Sequence, residues 1–180
     1  MALTLMKLFV FSFLVSSTAL AVKSELLSSK REKLTRFRVY VQNIFGGSNA
    51  TDVIIVPPST TKQSTALFGQ LDVIDDAVTI GPNTSSKNVG RVQGLLAFTS
   101  QSEIVLSMSM TFAFTEGKYN GSSLTIVGRN VVSMKVRELP IVGGTGLFRL
   151  GRGYVHISTY SSNFKTGLFV FVYYFYVYHY

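Results

Sequence analysis

From Arg36 onward the apolar residues recur at every second position, and no stretch of a dozen residues keeps a helical apolar stripe. An alternation of that kind commits a chain to strands whose two faces meet different surroundings. The clearest case runs from Val105 to Phe114. Leu106, Met108, Met110, Phe112 and Phe114 fall on one face, and Val105, Ser107, Ser109, Thr111 and Ala113 on the other. The segment Thr115 to Gly121 then closes on Asn120-Gly121, a dipeptide that favours a tight reversal, and apolar alternation resumes from Ser123 to Val127. Together these predict a hairpin.

The same reading predicts strands over Phe37–Phe45, Asp52–Val56, Ala66–Val73, Arg91–Thr99, Val131–Arg137, Tyr154–Tyr160 and Leu168–Tyr180, separated by Pro57-Pro58-Ser59, Gly81-Pro82-Asn83 and Gly143-Gly144-Thr145-Gly146. Eight or nine short strands without helices between them point to an all-β antiparallel barrel or sandwich. The last segment is apolar or aromatic on both faces, so both need cover. A barrel whose outer wall meets a neighbouring subunit supplies that cover, and a homo-oligomer is the expectation.

Composition excludes several kinds of chemistry. The chain has 180 residues, enough for one domain with a real core, and 47% of them are hydrophobic against 14% charged. With no Cys there is no disulfide framework, thiolate metal site or cysteine nucleophile. Two His, at positions 156 and 179, are too few for a His-built catalytic metal centre, so no metal or other cofactor is expected.

The N-terminus has the layout of a secretory signal. Lys7 precedes an apolar run from Leu8 to Val15, and small residues follow up to Ala19-Leu20-Ala21. The run is shorter than the roughly 20 residues that span a bilayer, so residues 1–21 are expected to be cleaved and the mature protein to be secreted to the extracellular space, with no membrane anchor. Residues 22–35 read as a mobile arm and 36–180 as the folded domain. Three sequons, at Asn49, Asn83 and Asn120, lie in turn-like surroundings and are candidate glycosylation sites. Without Lys7 the chain carries sixteen basic and nine acidic residues, a net charge of about +7. Export and the lack of a nucleic-acid-binding motif argue against nucleic acid, and acidic cell-wall polysaccharide is the expected electrostatic partner.

Catalytic templates are absent: there is no Gly-x-Ser-x-Gly elbow, P-loop or dinucleotide fingerprint. Gly143-Gly144-Thr145-Gly146 reads as a loop, and Asp75-Asp76, next to Gly81-Pro82, as a solvated strand end. His156 and His179 complete no triad. Polar residues on apolar faces are more informative. Asn43 shares a face with Phe37, Val39, Val41 and Phe45, Thr159 shares one with Val155 and Ile157, and Arg137 is placed at the end of a strand with Val131, Ser133 and Lys135. A buried amide without partners costs on the order of 1–3 kcal/mol, so Asn43 must be hydrogen-bonded or must face a ligand. Taken singly, a structural role is the plainer account of each.

Five segments resemble the plant dirigent proteins: Val73-Ile74-Asp75-Asp76, Val89-Gly90-Arg91-Val92-Gln93-Gly94, the stretch from Phe112 to Ser122, Gly128-Arg129-Asn130, and the stretch from Val136 to Arg149 with Arg152-Gly153-Tyr154 beyond it. The resemblance covers about residues 36–180. It implies an eight-stranded antiparallel barrel of the dirigent and allene-oxide-cyclase type, commonly a homotrimer with a dimer as the alternative, secreted to the apoplast. It also implies a role in lignan and phenylpropanoid biosynthesis. A separate laccase or peroxidase generates phenoxy radicals of coniferyl-alcohol type, and the barrel gives their coupling one regiochemistry and one stereochemistry. The alternatives are a quinone-methide cyclase or lyase of the same family, with an acid such as Asp76 or Glu138 in the cavity, and a cell-wall or defence binding protein.

Carried over position by position, the resemblance places substrate contacts at Asn43, Asn130, Arg137 and Thr159. Asn43 and Asn130 stand where pinoresinol-forming members have proposed acids, and Val172 is matched to a further acid in the last strand. No residue here is thereby assigned a certain catalytic role. An amide cannot donate a proton to a quinone-methide oxygen as an acid can, so the expectation is binding and orientation without proton transfer from those two positions.

Overall fold

Alternation of apolar and polar residues becomes a closed sheet in the computed structural model, which describes residues 31–59 and 65–180. The expected signal segment and arm residues 22–30 lie outside the described residues. Among the described residues, nine strands follow one another: β1 Lys33–Ile44, β2 Asp52–Val56, β3 Leu71–Thr79, β4 Asn88–Phe98, β5 Val105–Phe114, β6 Ser123–Val131, β7 Arg137–Thr145, β8 Arg152–Asn163 and β9 Leu168–His179. They pair antiparallel in the order β1-β9-β8-β7-β6-β5-β4-β3, and β1 pairs with β3 to close an eight-stranded barrel. Strand β2 continues the line of β1 along β3. Tyr40–Gln42 take the Ala77–Thr79 half of β3, and β2 takes the Leu71–Ile74 half.

The Val105–Phe114 alternation is realised as read, with Leu106, Met108, Met110, Phe112 and Phe114 all buried in the core. Other strands add Val39 and Val41, Ile74 and Val78, Val92 and Leu96, Leu124 and Ile126, Leu139 and Ile141, Val155 and Ile157, and Tyr173, Phe175 and Val177. Each such side chain contributes about 1.5–3 kcal/mol by leaving water. Gly90 and Gly94 lie along β4. A Cβ at either would run into the backbone of β5 at Ala113 or Ser109, so the glycines allow the close approach that a tightly curved barrel needs.

Four local readings are corrected. Val131–Arg137 is not a strand: β6 ends at Val131, an exposed turn carries Val132, Met134 and Val136, and Arg137 begins β7 instead of ending a strand. The apolar residues of that turn imitate alternation. β7 then runs through Pro140 and on through Gly143-Gly144, which the sequence reads as a loop. Pro140 is tolerated because the paired register with β6 begins only at Ile141. The segment from Ala66 to Gln70 is a turn region, and β3 starts at Leu71 and continues through Asp75 and Asp76 to Thr79. The last residues of the expected arm, Lys33 to Thr35, are strand residues paired with His179, Tyr178 and Val177.

The outer face of β9 also has partial cover of its own. Val170 and Val172 are buried in a small cluster with Tyr40, against which Leu168 packs.

Candidate functional site

The barrel interior divides lengthwise. One end is filled by rings: Phe37 stacks on Phe175 at 4.8 Å and lies 4.5 Å from Tyr119, and Phe148 packs against Phe37, Phe114, Tyr119 and His179. The other end collects the polar side chains of the interior face, and two groups of them are distinct.

The first group is built on β1, β2 and β3. The amide of Asn43 donates to Asp52 Oδ2 and to Asp76 Oδ2, each at 3.1 Å. Thr51, next to β2, donates its hydroxyl to Asp76 Oδ1 at 2.5 Å and accepts the Ile44 backbone N–H at 2.9 Å, which ties the loop to the end of β1. Asp76 is 1% exposed, and Asp52 Oδ1 is buried without a partner. Burial dominates the titration of both carboxyls. It pushes Asp76 up to about 7, with the charge of Asp52 adding to the rise, while hydrogen bonds from Thr51 and Asn43 and the Arg91 cation oppose it. Asp52 is pushed up to about 6 by burial and the charge of Asp72, against the Asn43 hydrogen bond. Two carboxyls joined through one amide titrate as a coupled pair, so acid protons are held there at mildly acidic to neutral pH.

The second group stands on β7, β8 and β9. Arg137, 3% exposed, donates Nη2–H to Thr159 Oγ1 at 3.0 Å and Nε–H to the Ile157 carbonyl at 3.4 Å, with its guanidinium 5.8 Å from the Phe171 ring centre. Thr159 borders a register shift between β8 and β9, the kind of irregularity that re-aims a side chain. Burial lowers the pKa of Arg137, which still leaves a cation at any ordinary pH. Tyr173 feels the charges of both groups. It is buried, its phenol is raised by burial and by the charge of Asp76, and the Arg137 cation acts in the opposite direction.

Of the four positions expected to contact substrate, the structure therefore brings Arg137 and Thr159 into direct contact. Asn43 belongs to the carboxyl group, while Asn130 donates to Met108 Sδ at 3.0 Å and leaves its own Oδ1 buried and unpartnered. Asp75-Asp76 is not a solvated strand end. It lies within β3, where pleating sends Asp75 outward to an ion pair with Arg91 and Asp76 inward. Glu138, the other acid considered for the cavity, faces outward and bonds His156 at 2.8 Å. Val172 lies on the outer wall, whereas its neighbour Tyr173 faces in. Sequence reading missed Asp52 and Tyr173. Parity carried the signal for Tyr173, since Phe171, Tyr173 and Phe175 alternate, and for the inward face of Asp76 between Ile74 and Val78, but not for Asp52.

The profile of the dirigent-like protein family matches residues 34–178. The chain belongs to the dirigent family. It is 46% identical over 151 residues to dirigent protein 7 of Arabidopsis thaliana, covering 84% of this chain and 80% of that one. It is also 40% identical to pterocarpan synthase 1 of Glycyrrhiza echinata, covering 86% of this chain and 82% of that protein. Among solved structures, a pterocarpan synthase dirigent protein superposes with a TM-score of 0.76 at 42% identity, covering 84% of this chain and 98% of the other. The eight-stranded barrel expected of a dirigent protein is the fold observed. The three Asn-x-Ser/Thr sequons lie on the surface, with Asn49, Asn83 and Asn120 all exposed. Among the described residues no group of three or more His, Asp or Glu is arranged to hold a metal ion.

Proposed function

We propose that this dirigent protein binds a phenolic quinone methide in the polar half of its barrel and directs the closure of a new ring. The observation that carries this reading is the buried acid Asp76, held by Thr51 and Asn43 at the same end of the barrel as the Arg137–Thr159 pair. Arg137 and Thr159 hold a substrate oxygen, and the aromatic lining takes the flat ring. In the reaction the substrate's own hydroxyl oxygen forms a bond to the exocyclic carbon of the quinone methide. The exocyclic π pair returns to the ring, which becomes a phenol when its oxygen takes the proton of Asp76. The proton released by the attacking hydroxyl resets the acid. Atoms and electrons balance without an oxidant. Two relatives named pterocarpan synthase, 37–40% identical over most of this chain, agree with a ring-forming role.

Because Asp76 and Tyr173 expose 1% and 3% of their surface, a guest reaches them only when side chains at the mouth move. Thr159, which is exposed, and Phe171, which is half-buried, both lie against Arg137.

A second reading keeps the radical step. An external laccase or peroxidase oxidises a coniferyl-alcohol-type phenol, and the aromatic interior favours one face of coupling, for which a tenfold preference needs only about 1.4 kcal/mol. Either role belongs to a secreted, apoplastic protein with glycans at one or more of Asn49, Asn83 and Asn120. The exposed apolar belt of Val53, Ile55, Val73 and Leu95 gives such a protein a face for self-association into a trimer or dimer. Conversion of a hydroxyaryl quinone methide to one enantiomer without any oxidase supports the first reading. Enantiomeric excess that arises only when laccase and coniferyl alcohol are supplied together supports the second.

A further inference from the structure

The outer wall of β1, β9 and β8 carries a registered grid of tyrosines and cations. Alternate residues of β9 point outward, which sets Tyr174, Tyr176 and Tyr178 in a column with rings about 7 Å apart. Cross-strand pairing then fixes their neighbours. Tyr178 lies between Leu34 and Arg152, Tyr176 between Arg36 and Tyr154, and Tyr174 between Arg38 and His156. The guanidinium of Arg38 stands 5.4 Å from the ring centre of Tyr40 and 5.9 Å from that of Tyr174, and Arg152 stands 5.4 Å from Tyr178. Tyr154 and Tyr176 are stacked at 4.7 Å. Between β1 and β9 runs an open groove of about 340 Å³ bordered by Arg36, Arg38, Tyr174 and Tyr176. Glu138, on the neighbouring strand β7, is engaged by His156.

The geometry points to this wall as a docking surface for a uronate polysaccharide, a linear chain of sugar rings that each bear a carboxylate. Flat tyrosine faces suit the apolar faces of sugar rings. Arginines laid against those rings are held in place, so less freedom is lost when they meet carboxylates in two-pronged hydrogen bonds. Charge complementarity selects this occupant over a second copy of the chain. A two-fold dimer through this wall would crowd Arg36, Arg38 and Arg152 of both copies into one interface, whereas the apolar belt on β2, β3 and β4 carries no such conflict. The surface lies outside the barrel interior and does not depend on the chemistry proposed there.

The test is affinity electrophoresis and calorimetry of the full mature protein with an oligogalacturonate of ten residues, its fully methyl-esterified form, and dextran sulfate of similar length. The free acid is expected to bind and the neutral ester to bind at least about tenfold more weakly, the sum of three exposed ion pairs of ordinary strength. An Arg36→Gln, Arg38→Gln, Arg152→Gln variant should lose the same factor. A Lys87→Gln, Arg129→Gln, Arg149→Gln variant, with the same change in charge elsewhere on the surface, should keep it. Tyr176→Ala, which alters no charge, should weaken binding several-fold. Circular dichroism and elution volume report whether each variant is folded and whether its assembly has changed. Equal losses in the two charge variants, unchanged binding by Tyr176→Ala, or dextran sulfate bound as tightly as the uronate would overturn the assignment. So would a grid variant that elutes as a smaller assembly, because the wall would then be a subunit interface.

Discussion

The two ends of the barrel interior are built from the same alternating strands, yet they do different things. At one end Phe37, Phe114, Tyr119, Phe148 and Phe175 pack ring against ring, with His179 at the edge. At the other, Asn43, Asp52, Asp76, Arg137 and Tyr173 are buried at comparable depth, and their mutual hydrogen bonds offset only part of the cost. The aromatic end stabilises the fold. The polar end draws on that stability to hold two acids in a dry place, where an acid keeps its proton into the neutral range.

The contrast predicts opposite responses to truncation. Phe148→Ala should destabilise by about 3–5 kcal/mol, because a fully buried ring leaves a cavity that the barrel cannot collapse into. Urea unfolding at pH 7 checks this, and a loss below about 1 kcal/mol would show that the aromatic end is loosely packed. Asp76 should act in the reverse sense. Its folded pKa of about 7 lies above the ordinary 3.8, so the folded state retains a proton that the unfolded state releases. Stability is then fullest below about pH 4 and falls as the pH rises towards about 7, by an amount on the order of 4 kcal/mol. Asp76→Asn should remove most of that decline and melt higher than the parent at pH 8. A parent whose stability is flat from pH 4 to pH 8 would contradict the burial of a protonated acid.

Smaller effects refine the polar end. Asn43→Leu removes the donor shared by Asp52 and Asp76 and should cost about 1–3 kcal/mol at pH 8, and less at pH 4, where the carboxyls are neutral. Calorimetric melting at the two pH values separates that pattern from a simple packing loss. Thr159→Val deprives Arg137 Nη2 of its acceptor while keeping the shape. It should cost about 1 kcal/mol of stability and weaken binding of a phenolic ligand, measured by tyrosine fluorescence quenching.

The division between the ends explains how much was legible in the sequence. Strand identity from β4 to β6 and in β8 followed from period two, because one face meets a largely apolar interior, and β9 was legible as a run apolar on both faces. Where polar residues enter the interior the same rule misled. Asp75-Asp76 looks like the end of a strand only when both carboxylates are assumed to seek water, and in the fold one goes outward to Arg91 and the other inward to Asn43 and Thr51. Arg137 was recognised as a polar residue on an apolar face, yet its strand was drawn on the wrong side, because Val132, Met134 and Val136 in an exposed turn continue the alternation. Reading Asn43 and Asn130 as lost acids was incomplete for a related reason. The acids next to Asn43, Asp52 and Asp76, come from β2 and β3, and although parity turns Asp76 inward, no local pattern reports that these strands lie beside Asn43.

The most direct test follows oxidase-free cyclisation of a hydroxyaryl quinone methide across pH 4 to 9 by the mature protein and by Asp76→Asn, with product enantiomers resolved. The account predicts that the parent forms one enantiomer with a rate that falls as the pH rises through about 7, and that the folded, more stable variant loses at least about a hundredfold of that rate, the ordinary contribution of a placed general acid. Undiminished, equally selective cyclisation by Asp76→Asn, with the same pH profile as the parent, would contradict it.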